Sequence, residues 1–143
     1  MLATIQFFSE VNYAAVLVAA LAYFILGALW YSVLFGKIWA KGIEEMGIKM
    51  VPPDKTKMMT MMLKSFTANL LCAFAMAYFI RLGNAWNMIT GLKFGIVGGF
   101  GITVASQLMV ANWQGTRNSV LVIDAGYQVV GVILTSVIIA IWH

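Results

Sequence analysis

Asp124 is the acid of this chain whose surroundings most suggest chemistry, because it stands inside a long apolar run. A charged Asp at the centre of a membrane helix costs about 3 kcal/mol on insertion scales. It must therefore be paired, neutral or hydrated. Tyr127, Gln128, Gly131 and Thr135 follow it at steps of three and four, which put all five residues on one helical face. Such a face suits a carboxylate that handles a proton or a cation, or that anchors a polar ligand. It also suits a structural acid, ion-paired with Lys64 or Arg117 or hydrogen-bonded to Tyr31 or Gln107.

Two further stripes accompany it. Gly91, Gly95, Gly99, Thr103 and Gln107 recur every four residues, a small-residue stripe that turns polar at one end. Glycine lets helix backbones approach closely, so Gly91, Gly95 and Gly99 are read as packing positions. Asn69, Cys72, Ala73 and Ala77 share a third face. Neither polar nor small stripes face lipid cheaply, so they should meet inside a bundle or at a subunit interface. Met58, Met59, Met61 and Met62 form a thioether cluster. Soft thioethers can hold Cu(I), but no His or second Cys stands near them, and adaptable packing is the plainer account. No metal site or cofactor is expected.

The elements that position these residues follow from composition. Of 143 residues, 62% are hydrophobic and 10% charged, and the mean hydropathy is +0.91. Soluble domains carry about 25% charged residues. These figures exclude a soluble enzyme, a disordered tail and a coiled coil. A membrane-spanning helix needs about 20 mostly apolar residues. Four such spans fit, at about 13–35, 58–82, 88–111 and 119–142, within a single membrane domain covering 1–143. The fold class expected is all-α: an integral membrane, up-down bundle of four transmembrane helices joined by short connections. Asn12 is a plausible N-cap for the first span, and Pro52-Pro53-Asp54 marks the approach to the second. The stretch 36–57 is read as the one long polar loop. No secretory signal is expected, because residues 1–12 lack Lys and Arg.

Lys37, Lys41, Lys49, Lys55, Lys57 and Arg117 fall in the first and third connections, against Arg81 and Lys93 around the second. The positive-inside rule then places loop 36–57 in the cytoplasm and both termini outward. This charge is juxtamembrane, so nucleic acid is not an expected partner despite a pI near 9.4. Trp30, Trp39, Trp86, Trp113 and Trp142 fall at or near span ends, as interfacial belts do. At about 1.5 Å rise per residue, Lys64 and Asp124 each lie roughly 8–9 Å inside their inner helix ends. Tyr31, Ser32 and Gln107 share that level. The expected polar intramembrane cluster is therefore Tyr31, Ser32, Lys64, Gln107, Asp124, Tyr127 and Gln128.

The stretch Gly27-Ala28-Leu29-Trp30-Tyr31-Ser32-Val33-Leu34-Phe35-Gly36-Lys37-Ile38-Trp39, together with Asp124-Ala125-Gly126-Tyr127-Gln128, resembles a bacterial membrane family, domain of unknown function seventeen sixty-one. The likeness spans nearly the whole chain. The resemblance implies the four-span fold and a place in the bacterial cytoplasmic membrane, and no activity. The family pattern has Pro where Val33 stands, and more often Asn and His where Asp124 and Gln128 stand. An Asn at position 124 would fill a hydrogen-bonding role without charge, which favours packing over proton chemistry there.

No Ser/His/Asp set, zinc cluster, phosphate loop or carboxylate pair supports an enzyme. The expected function is a non-enzymatic structural or accessory protein that forms a homo-oligomer or supports a larger membrane complex, in contact with membrane lipids. The alternative is an oligomeric channel or transporter for protons, ions or a small solute, with Asp124 at its inner mouth.

Overall fold

The structure, a computed structural model, describes residues 7–142. The expectations for the extreme termini at 1–6 and 143 lie outside the described residues. Described residues 7–10 are helical and lead into the first span. That span is α1 (Tyr13–Leu29), extended by a π-helical turn at Trp30–Leu34. A short helix, α2 (Gly36–Glu45), follows. The second span is α3 (Lys55–Leu82). The third is α4 (Met88–Ile96), a π-helical stretch at Val97–Val104, and α5 (Ala105–Gln114), in one continuous rod. The fourth is α6 (Asn118–Ile141). Each of the four rods is long and apolar enough to cross a membrane, and no strand occurs among the described residues.

Local chemistry explains where these helices start and stop. The Asn12 side chain accepts from the Ala15 N–H at 3.0 Å, satisfying one orphan donor of the first turn. Asp54 does the same for Lys57 N–H at 2.9 Å, and Asn87 for Thr90 N–H at 3.0 Å. The cap at Asp54 starts α3 at Lys55, earlier than the apolar run that begins at Met58. Gly115, at φ +65°, closes α5 in the left-handed region, where a side chain would be strained.

The stretch 36–57 is not a loop throughout, since α2 occupies its first half. The backbone turns toward α6 through the π-helical turn, in which the Phe35 N–H reaches back five residues to Trp30 O at 2.8 Å. Gly42 then lets α2 lie on α6, because a Cβ there would come 2.6 Å from Val120 Cγ2.

The helix α6 is the hub. It packs against α1, α2, α3, α4, α5 and the π-helical stretch of the third span. Tyr23, Ala19 and Ala20 of α1, Ala73, Ala77 and Ile80 of α3, and Val132, Ile139 and Ala140 of α6 form the core. Small side chains dominate it. In lipid there is little hydrophobic drive between helices, so close backbone approach and van der Waals contact must hold the spans. At one end, Glu10 pairs with Arg81, and the Asn12 amide donates to Trp142 O at 3.2 Å. At the other, Arg117 pairs with Glu45 at 2.7 Å. These contacts place successive span ends on opposite sides, which is the up-down arrangement.

Candidate functional site

Asp124 sits in the second turn of α6, half-buried, facing the junction of α1 and α2. The wide turn at Trp30–Leu34 presents two aromatic side chains to α6. The Tyr31 hydroxyl donates to Asp124 Oδ1 at 2.7 Å. The Trp30 indole N–H donates to the Ile123 carbonyl at 3.0 Å. From α2, the Trp39 indole N–H also donates to Asp124 Oδ1, at 2.9 Å. One carboxylate oxygen thus gathers donors from the first span and from the short helix beyond it.

An aromatic cluster seals this junction. Tyr31 meets Trp39 and Tyr127 edge-on, each at 5.3 Å between ring centroids. Tyr127 also lies against Tyr23 at 5.2 Å and Trp30 at 6.4 Å. Glycines make room for it. A Cβ at Gly27 would sit 2.9 Å from the Tyr127 hydroxyl oxygen, and one at Gly126 would sit 3.2 Å from the Trp30 ring. Gly131 accommodates the fully buried Tyr23 ring in the same way. Deeper along α6, the Tyr23 hydroxyl donates to the Gln128 side chain. Asn69 of α3 is buried beside the Tyr127 hydroxyl, its Nδ2 without a hydrogen-bond partner among the described residues.

The residues grouped by level in the sequence do not all meet. Tyr31 touches both Asp124, through its hydroxyl, and Tyr127, through its ring. Gln128 belongs to the next layer, with Tyr23. Gln107 reaches Asp124's neighbourhood by lining the same cavity. Lys64 does not join the cluster. It is exposed on α3, and no Lys or Arg forms an ion pair with Asp124 among the described residues. Equal depth fixed its height but not the face of the helix it projects from. Ser32 also turns away: it is exposed, and its hydroxyl bonds back to the Ala28 carbonyl. Trp39, Trp30, Tyr23 and Asn69 belong to the site and were not in the expected set. Trp39 was legible only as an interfacial residue, because it lies in a stretch that reads as loop.

The small-residue stripe faces α6 of the same chain. A Cβ at Gly95 would come 2.6 Å from Ile133 Cα, and one at Gly91 would come 2.6 Å from Ala140 Cβ. At Gly99 the approach to Val129 Cα is 3.2 Å. The methionine cluster is exposed at the start of α3, beside Phe24 and Phe66.

The model of a protein family of unknown function, DUF1761, matches residues 14–140. No curated protein and no solved structure matches the chain.

Proposed function

We propose, for a chain that belongs to the DUF1761 family of unknown function, a non-enzymatic structural or accessory role in the membrane. The protein assembles as a homo-oligomer or supports a larger membrane complex in the bacterial cytoplasmic membrane. The observation that carries this reading is the state of Asp124. Its Oδ1 is occupied by Tyr31 and Trp39, which belong to the first span and to α2. A carboxylate held in this way ties helices together. A carboxylate relaying protons or cations would instead need a continuous polar path on both sides of it. The four spans leave broad apolar faces on the outside, among them Val97, Phe100, Ile102 and Met109 of the third rod, and these are the surface for lipid or for partner helices.

The charge asymmetry supports an orientation. Lys37 and Lys41 on α2, Lys49, Lys55 and Lys57 before and within the start of α3, and Arg117 before α6 lie at one end. By the positive-inside rule that end is cytoplasmic and the termini face outward.

Native mass spectrometry of the untagged protein, released gently from its own membrane, tests the reading. A homo-oligomer or a hetero-complex is the expected result. An Asp124→Asn variant that keeps its assembly but loses ion or proton flux in liposomes would replace the reading with the oligomeric-channel alternative.

A further inference from the structure

The face of α3 that builds the core loses most of its partners toward the start of the helix. Asn69, Ala73, Met76, Ala77 and Ile80 of its later half are buried. Met58, Met62 and Phe66 continue the same face at steps of four. Yet no residue from Lys55 to Thr67 is buried, and Met58, Met59, Met61 and Met62 are between 49% and 63% exposed. Here the face stands off α1 across a groove. One part, of about 400 Å³, lies between Ala28 and Tyr31 of α1 and Met58, Met61 and Met62 of α3. A second part, of about 440 Å³, shares Phe24, Met58 and Met62 with the first and reaches Lys55. Phe66, the furthest residue along α3 in that second wall, meets the Phe24 ring edge-on at 5.9 Å.

The walls of this groove are mostly apolar and its mouth is basic. Lys55 belongs to the wall, with Lys49 and Lys57 close by in sequence. None of the three takes part in an ion pair among the described residues. Between residues 36 and 57 five Lys stand against Glu44, Glu45 and Asp54. Of those acids, Asp54 caps α3 and Glu45 also serves Arg117. A second copy of the chain would bring the same lysines to the same mouth, like charge against like. An anionic amphiphile answers both the walls and the mouth. Methionine side chains adapt to irregular partners, which suits an acyl chain. Such a chain gains no hydrophobic transfer energy on leaving bulk lipid, so the charge of the headgroup has to do the selecting.

We propose that this groove holds an acyl chain of an anionic phospholipid, with the headgroup charge at Lys55. The chain lies between Phe24 and Ala28 of α1 and Met58 and Met62 of α3. The inference goes beyond the accessory and the channel readings alike, and rests only on the four apolar rods lying in a bilayer.

The test places the wild-type chain in nanodiscs of equal parts phosphatidylglycerol, phosphatidylcholine and phosphatidylethanolamine. Lipid retained after release is read by native mass spectrometry. Phosphatidylglycerol should be retained about fivefold over each of the others, the worth of one lysine close to an anionic headgroup. Lys55→Gln should equalise the three lipids. Ala28→Phe, which fills the groove, should lower the retention of phosphatidylglycerol. Met62→Gln, which makes the wall polar without filling it, should do the same and serves if Ala28→Phe does not fold. Lys64 lies on α3 outside the groove wall, so Lys64→Gln should keep the preference. Equal retention of the three lipids by the wild type overturns the proposal. So does a preference that survives Lys55→Gln, or one that survives both groove variants. Loss of the preference in Lys64→Gln would assign it to overall charge and overturns the site as well. Cross-linking of Met62→Cys between copies, in a Cys72→Ser background, would put a second copy in the groove and exclude the lipid.

Discussion

Tyr31 and Asp124 are joined across α1 and α6 by a 2.7 Å hydrogen bond, at the point where the first span widens into a π-helical turn. A turn with bonds five residues apart rotates the side chains that follow it relative to a regular helix. Such bulges are frequent at functional sites. Here the consequence is local and specific: Trp30 bonds the α6 backbone, Tyr31 bonds the α6 carboxylate, and Trp39 arrives on the same oxygen from α2. One acid therefore organises the end of the bundle where α2 meets the start of α6.

Because the two donors share Oδ1, their contributions should be coupled. Tyr31→Phe and Trp39→Phe are each expected to destabilise the protein by about 1–3 kcal/mol. The double variant should depart from additivity by at least about 0.5 kcal/mol. Reversible unfolding in mixed micelles, followed by circular dichroism, measures the cycle.

The glycines of the third rod should divide sharply. At Gly95 a Cβ would meet the backbone of α6, so Gly95→Ala is expected to cost about 1–3 kcal/mol. At Gly101 nothing lies within 4 Å. Gly101→Ala should stay within about 0.5 kcal/mol of the parent or stabilise it slightly. Thermal melts of the two variants side by side check the contrast.

The Arg117–Glu45 pair is partly exposed, so Arg117→Ala should lower global stability by no more than about 1 kcal/mol. Its effect should appear locally. Limited proteolysis between residues 46 and 54 is expected to speed up as α2 loses a tether to the start of α6.

Topology is open to a labelling experiment. In a Cys72→Ser background, Lys49→Cys and Met88→Cys sit at opposite ends of the bundle. A membrane-impermeant maleimide added to intact cells should label Met88→Cys and spare Lys49→Cys. The reverse pattern would invert the orientation.

Much of the architecture was legible in the sequence, for physical reasons that also mark the limits. Four apolar runs must become helices in lipid, because every backbone polar group has to be satisfied within its own segment. Asn12 and Asp54 announce helix starts by their own capping chemistry. Spacing by four put Gly91, Gly95 and Gly99 on one face, but nothing in the spacing said that the face would meet Ile133 and Ala140. The helix α2 was hidden because it is short and mixes Lys and Glu with Ile and Trp in a way that reads as loop. Trp39 was lost from the site with it. Lys64 shows the complementary error. Rise per residue fixes depth, while rotation about the axis is set by which face packs, and α3 turns Lys64 outward.

Asp124 acts as a hydrogen-bond acceptor that ties the π-helical turn and α2 to α6. The unfolding free energy of Asp124→Asn against Asp124→Leu in phosphatidylcholine nanodiscs tests this. The amide oxygen of Asn can take the place of Oδ1, so Asp124→Asn should lie within about 0.5 kcal/mol of the parent. Leucine accepts nothing and strands the Tyr31 and Trp39 donors, so Asp124→Leu should lose about 2–4 kcal/mol. If Asn is as damaging as Leu, or if neither variant loses stability, Asp124 does not hold the bundle in this way.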